Sequence, residues 1–168
     1  MLRLLFPRLT AHPARGAALS SWVTARARQP HWYVEGGVPD TVDGRFAMLA
    51  TVAALVLVRL EQEEAGADAS VALTERFVEA MEAEHREMGL GDPKLGRTVR
   101  KLVGSLAGRV DLWRATIERD DWATGAHQSL YRGGAAPQSV AHSAAALRGL
   151  WVRLTSAPLE DVASGRIE

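Results

Sequence analysis

Residues 38–46 read Val-Pro-Asp-Thr-Val-Asp-Gly-Arg-Phe and predict the start of a buried helix. The proline keeps the residue before it extended, and either Asp40 or Thr41 can then cap the first amides of the helix. Asp43 adds a negative charge where the helix dipole favours one. Gly44 costs about 1 kcal/mol relative to alanine inside a helix. We therefore expect another backbone, side chain or partner to lie close to Gly44.

The helix that begins here is expected over residues 41–64 and is apolar on almost every side. Its apolar groups recur at helical spacing from Val42 to Leu60, and further aliphatic residues fill the other faces. Such all-round apolarity predicts burial on most sides. The uncharged run at residues 46–58 covers 13 residues, whereas a bilayer-spanning helix needs about 20. We therefore predict a central helix of a protein core.

The remaining chain shows apolar repeats of helical period and no sustained apolar-polar alternation. These repeats predict helices over residues 13–28, 70–88, 93–119, 121–131 and 137–156, with one short turn after residue 158. Ser70 is the expected N-cap of the second of these, and Asp92 followed by Pro93 begins the third. Residues 31–34 predict a short helix or a docking loop. The expected fold is all-α, a single-domain bundle of about six to seven helices around the long buried helix.

Charge is balanced overall and polarised along the chain. The 168 residues contain 20 basic and 20 acidic residues and no cysteine, which gives no general case for DNA or another polyanion as partner. Residues 1–34 contain five arginines and no acid. We therefore divide the chain into a basic N-terminal segment, residues 1–30, and a helical domain, residues 31–168. Arg3, Arg8 and Arg15 are the candidate residues for contact with a membrane surface, although such a start also resembles a mitochondrial presequence.

The sequence contains no arrangement typical of catalysis or metal binding. The five histidines are scattered without metal-ligand spacing, and phosphate-binding and nucleophile motifs are missing from the sequence. We therefore predict no catalytic residue, no metal and no cofactor. The five tryptophans are expected in the core.

Two charged clusters lie on either side of the turn near residues 89–92. Acids crowd the end of one predicted helix and bases the start of the next, which the helix dipole favours in neither case. The clusters comprise Glu79, Glu82, Glu84 and Glu87, and Lys94, Arg97, Arg100 and Lys101. One interpretation is that the two helices pack so that acid faces base. The other is that the bases form a docking surface for an acidic or membrane-proximal partner.

Three sequence blocks resemble the ubiquinol-cytochrome c chaperone family. They are Val38-Pro39-Asp40-Thr41-x-Asp43-Gly44-Arg45-Phe46, Glu87-Met88-Gly89-x-Gly91-Asp92 before a basic helix, and Leu130-Tyr131-Arg132-Gly133. The resemblance covers residues 32–132 and, more weakly, the remainder. The chain departs from the family pattern at Ala47, at residues 127–129 and at Pro93.

The resemblance implies an all-helical assembly factor and not an enzyme. Family members hold newly made cytochrome b and support its maturation into the bc1 complex, and mitochondrial members work with a small partner protein at the ribosome exit. A bacterial member would meet cytochrome b at the cytoplasmic face of the inner membrane, and a eukaryotic one in the mitochondrial matrix. The expected client-binding residues are Asp40, Asp43, Gly44, Arg45, Phe46, Gly91, Asp92, Arg97, Lys101 and Tyr131.

Two other classes of function stay open at this point. A basic-surfaced helical module that binds RNA or the ribosome would explain the arginines, and its affinity would fall steeply with salt. A helical enzyme would need an acid-base or metal site that the sequence does not reveal.

Overall fold

The computed structural model describes residues 15–87, 89 and 92–168, with Asp92 and Pro93 described by their backbone alone. Within these residues the chain forms seven α-helices and two 3-10 turns, which confirms the all-α prediction. The helices are α1 (Ala17–Ala27), α2 (Val42–Leu60), α3 (Ala67–Glu87), α4 (Asp92–Arg119), α5 (Trp122–Leu130), α6 (Pro137–Ser156) and α7 (Leu159–Ala163). The 3-10 turns are Pro30–Trp32 and Glu64–Gly66.

Helix α2 is the centre of the bundle. It packs against all six other α-helices, and every residue from 50 to 60 is buried. Polar groups inside it are paired: the hydroxyl groups of Thr51 and Ser129 are 2.6 Å apart, and the buried Arg59 donates to the carbonyl oxygen of Leu154 at 3.0 Å. The prediction of a long buried central helix is confirmed, although α2 ends at Leu60 and not near residue 64.

Helix α1 belongs to the same core as the rest of the bundle. Leu19, Val23 and Ala27 are each no more than 2% exposed, and the indole nitrogen of Trp22 donates to the carbonyl oxygen of Ile167 at 3.0 Å. The division of the chain at residue 30 stays a prediction, and α1, which precedes that boundary, contributes residues to the shared core.

Helix α3 starts earlier than its sequence signal suggested. The 3-10 turn Glu64–Gly66 leads directly into Ala67, so the prediction of Ser70 as N-cap is wrong. Ser70 lies within the helix, where its carbonyl oxygen accepts a hydrogen bond from the Thr74 hydroxyl at 2.9 Å. Of the helices in the described part of the chain, none has the length and apolar character that crossing a membrane requires.

Candidate functional site

The first turn of α2 has a fixed geometry that follows from its sequence. The Thr41 hydroxyl caps the helix by accepting a hydrogen bond from the Gly44 amide at 3.2 Å. A side chain at Gly44 would collide with the carbonyl oxygen of Pro39, so the close approach expected at this glycine is confirmed. Because the turn is held in this way, it presents Arg45 and Phe46 in defined directions.

Arg45 and Asp40 form an ion pair at the surface. The Nε atom of Arg45 lies 2.7 Å from Oδ1 of Asp40, and the two side chains are 67% and 61% exposed. The hydrogen bond from Arg45 lowers the pKa of the Asp40 carboxyl below its ordinary value. Both groups therefore carry their charges at neutral pH, and an ion pair this exposed contributes little to the stability of the fold.

This ion pair borders a cleft of about 590 Å³ between α1, the loop after it, α2 and α3. Ala27, Phe46, Leu49 and Met81 supply its apolar lining, and the polar and charged lining comes from Thr24, Arg28, Tyr33, Asp40, Arg45 and Glu84. A cavity of this size and mixed character suits a ligand or a peptide segment with an apolar body. The cleft brings together three of the residues expected to bind a client, namely Asp40, Arg45 and Phe46.

Phe46 also connects the cleft to α3 and α4. Its ring centroid lies 6.0 Å from that of Phe77, and the Arg109 guanidinium lies 5.7 Å from the same ring. Arg109 donates from Nη2 to the carbonyl oxygen of Ser129 at 2.9 Å, and burial lowers its pKa. Its Nε atom is buried without a hydrogen-bond partner among the described residues. Arg109 is thus a half-buried cation behind the first turn of α2.

Asp43 forms a second charged contact on the same turn. Its Oδ2 atom lies 3.0 Å from Nη1 of Arg132, and both side chains are more than 70% exposed. This pair ties the start of α2 to the segment after α5 across the bundle surface.

Tyr131 has an internal position. The residue is 8% exposed, and its hydroxyl lies 2.5 Å from the carbonyl oxygen of Gly36 and 2.9 Å from Oγ of Ser143. Burial raises the pKa of this phenol. The hydroxyl is thus engaged within the protein, and contact of Tyr131 with a client stays a prediction.

Of the other expected site residues, those whose side chains the structure describes do not line the cleft. Arg97 and Lys101 are exposed on α4. Asp92 is the first residue of α4, with its side chain outside the description, and Gly91, Arg3 and Arg8 lie outside the described residues. Arg15 lies 3.4 Å from Glu75 and 3.6 Å from Asp68, which attaches the start of the described chain to α3.

The interpretation that acid faces base across the α3–α4 hairpin stays a prediction. The two helices pack together, but within the described residues no ion pair joins the acidic cluster of α3 to the basic cluster of α4. Glu79 instead pairs with Arg76 of its own helix at 3.0 Å.

Sequence reasoning missed nine residues around the site: Thr24, Ala27, Arg28, Tyr33, Leu49, Met81, Glu84, Arg109 and Arg132. Met81 was expected as core and Glu84 as part of the acidic cluster, but neither position pointed to a cleft. The Leu-Tyr-Arg-Gly block at residues 130–133 could have signalled Arg132. No sequence pattern singled out Arg109, which reaches Phe46 because α2 and α4 pack side by side. The described residues contain no group of three or more potential metal ligands.

Comparison with known proteins identifies the family. The family model described as ubiquinol-cytochrome C chaperone matches residues 34–167. The chain belongs to the ubiquinol-cytochrome c chaperone family. This chaperone family membership supports a role in assembly of the bc1 complex and implies a function other than catalysis.

The fold agrees with a solved structure described as the Cbp3 homolog from Brucella abortus. That crystal structure superposes with a TM-score of 0.78 and shares 26% sequence identity, over 100% of this chain and 96% of the other. A comparison with curated proteins gave no match. The family model and the solved structure confirm the resemblance of the three sequence blocks to this chaperone family.

Proposed function

We propose that this chaperone binds newly made cytochrome b and supports its maturation into the bc1 complex. The observation that carries this proposal is the cleft beside the first turn of α2, which has an apolar lining and charged groups at its border. Unassembled membrane proteins expose apolar segments, and such a cleft can cover one side chain or one short turn of them.

A substitution at Arg45 tests whether the cleft binds the client. The ion pair of Arg45 with Asp40 is exposed and contributes little to stability, so the pair is available for contact with a client. A peptide segment that enters the cleft passes these two charges before its apolar side chains reach Phe46 and Leu49. Charge reversal at Arg45 would place two carboxylates side by side at that border and repel the client or misplace it.

The experiment is affinity capture from native membranes, with cytochrome b as the readout. We expect Arg45→Glu to lower cytochrome b recovery while the helical circular-dichroism spectrum stays unchanged. The matched control is Arg148→Glu, because Arg148 and Asp120 form a similar exposed pair at 3.0 Å away from the cleft. Equal recovery of cytochrome b with both variants would contradict the cleft as the client-binding site. If the native chain failed to recover cytochrome b, the proposal that cytochrome b is the client would be contradicted.

We further propose a position at the inner-membrane surface, where cytochrome b is inserted. Residues 1–14 contain Arg3 and Arg8 among apolar residues and no acid, and such a composition is attracted to anionic lipid. The deletion that tests this ends at residue 14, because α1 supplies core residues. We expect the shortened chain to bind anionic vesicles less than the full chain and to keep its thermal unfolding midpoint. Unchanged vesicle binding would dispose of this part of the proposal.

A further inference from the structure

One side of α4 carries exposed basic residues that have no ion-pair partner in the described chain. The same side carries two glycines with open space around them. At 3.6 residues per turn, positions 94, 97, 100, 101, 104 and 108 fall within an arc of roughly 120°. These residues are Lys94, Arg97, Arg100, Lys101, Gly104 and Gly108, and all are exposed. We call them the basic side of α4.

The four cations on the basic side have no ion-pair partner among the described residues. Arg97 and Lys101 are four residues apart, so like charges repel along the helix. Lys94 lies in the first turn of α4, where the helix dipole disfavours positive charge. Both effects destabilise the free helix, and a facing anionic surface would reverse both.

The two glycines leave room for a close approach to the helix backbone. An added Cβ atom at Gly104 or Gly108 would meet no atom within 4 Å, so packing inside the chain does not explain them. Each costs stability relative to alanine in a helix interior. Small residues four positions apart let a second helix approach closely.

The end of α3 carries the complementary charge. Glu82, Glu84 and Glu87 have no ion-pair partner within the described chain, and Ala80 and Ala83 beside them are small and exposed. Anions near the C-terminus of a helix are disfavoured by its dipole, as cations are near the N-terminus of α4. Acidic residues of α3 and basic residues of α4 thus lie on neighbouring helices, and no ion pair joins the two sets within the described residues.

We propose that the α3–α4 hairpin is a self-association surface whose partner is a second copy of the chain. A two-fold axis would place the basic side of α4 in one copy against the end of α3 in the other, and the same contact would form twice. The two contacts pair both charged clusters and fill the space over Gly104 and Gly108. Glu84 also lines the cleft, whereas Glu82, Glu87 and the basic side of α4 do not, so the proposal does not depend on client binding.

Sedimentation velocity of the purified full chain over a concentration series tests the proposal. We expect a dimer at low salt and dissociation toward the monomer at about 1 M salt, where the Debye length is about 3 Å. A monomer at every concentration in low salt would overturn the proposal. If reversing the charges on the basic side of α4 then lowered the affinity of the chain for RNA, this side would be a nucleic-acid surface instead.

Charge exchange gives the sharper test. The variants Arg97→Glu/Lys101→Glu and Glu82→Lys/Glu87→Lys should each be monomeric, with a dissociation constant raised about tenfold or more. An equimolar mixture of the two should form a heterodimer, because the acids added to α4 of one copy then face the bases added to α3 of the other. A mixture that stays monomeric would overturn the proposed pairing.

The glycines provide a test that leaves charge unchanged. Gly104→Leu/Gly108→Leu should abolish dimerisation while the circular-dichroism spectrum is retained. The matched control is Gly96→Leu, since Gly96 is also exposed on α4 with open space around it but lies outside the arc. Dimerisation that survives the first variant, or that the control abolishes, would contradict the assigned side of the helix.

Discussion

The hydroxyl of Tyr131 donates a hydrogen bond to the carbonyl oxygen of Gly36 at 2.5 Å, although the two residues are 95 positions apart. This bond fastens the loop between α1 and α2 to the end of α5. We predict that Tyr131→Phe lowers the free energy of unfolding by about 1–3 kcal/mol, because the buried carbonyl loses its partner. Urea denaturation measures the change. The control is Tyr33→Phe. The half-buried hydroxyl of Tyr33 donates to the carbonyl oxygen of Ala27 at 2.9 Å, where water can take its place. A loss of stability as large as that of Tyr131→Phe would contradict this account.

Substitution of glycine by alanine should raise the free energy of unfolding at some positions of this chain and lower it at another. Gly104→Ala and Gly108→Ala should each raise the free energy of unfolding by roughly 0.5–1 kcal/mol, because alanine is the better helix former and open space receives its methyl group. Gly125→Ala should lower it, because the added Cβ atom would lie 2.5 Å from Oγ1 of Thr116. Urea denaturation at high salt keeps self-association out of the comparison. If all three substitutions changed the free energy of unfolding in the same direction, the space around each glycine would not control its effect on stability.

The histidine pair predicts a loss of stability in mild acid. Nδ1 of His31 lies 3.0 Å from Nε2 of His142. Burial, and then His142, lower the pKa of His31 below 6.5, with Glu35 opposing and Arg153 adding to the effect. Between that lowered pKa and 6.5 the unfolded chain binds more protons at this site, so the free energy of unfolding falls as the pH drops below about 6.5.

Replacement of His31 tests the origin of this pH dependence. His31→Gln should flatten the dependence of the urea midpoint between pH 7.5 and 5, because the titrating group is removed. His127→Gln serves as the control, since His127 is exposed. An equal slope in His31→Gln and the native chain would assign the pH dependence to other groups.

Arg59 should be far more important for stability than its acidic partner. Its guanidinium donates to the carbonyl oxygen of Leu154 at 3.0 Å and to Glu63 at 2.9 Å, and its side chain is 7% exposed. Arg59→Met should lower the free energy of unfolding by about 1.5–3 kcal/mol, because charge-assisted bonds are lost and a carbonyl is left unpaired. Glu63→Gln should cost less than about 1 kcal/mol, because Glu63 is half exposed. Calorimetric unfolding compares the two, and equal losses would contradict the internal role of Arg59.

Helices with a strong apolar period and a proline near their start could be predicted from the sequence. α6 begins at Pro137 and ends at Ser156, as the pattern indicates, and α4 begins beside Pro93. The start of α3 was missed because the alanine and glycine residues before Ser70 carry no clear helix signal. Ser70 favours a cap by its side-chain chemistry, but the preceding 3-10 turn already starts the helix.

The candidate site was predictable only where it is local in sequence. Asp40, Arg45 and Phe46 lie within one turn of the α2 start, so their proximity follows from the chain itself. The contact of Asp43 with Arg132 spans 89 residues and depends on how α2 and α5 pack. Among the described residues, no ion pair joins the acidic cluster of α3 to the basic cluster of α4, because the rotation of each helix about its own axis decides which side chains face each other.

The central position of α2 has a consequence for how this chaperone is made. Helix α2 contacts α6 and α7 as well as α1, and the carbonyl oxygen of Ile167 accepts the hydrogen bond from Trp22. While the chain is being translated, α2 emerges well before α6 and α7, so its apolar side chains stay uncovered until those helices have left the ribosome. The nascent chaperone is therefore prone to aggregation until α6 and α7 have been made and packed against α2.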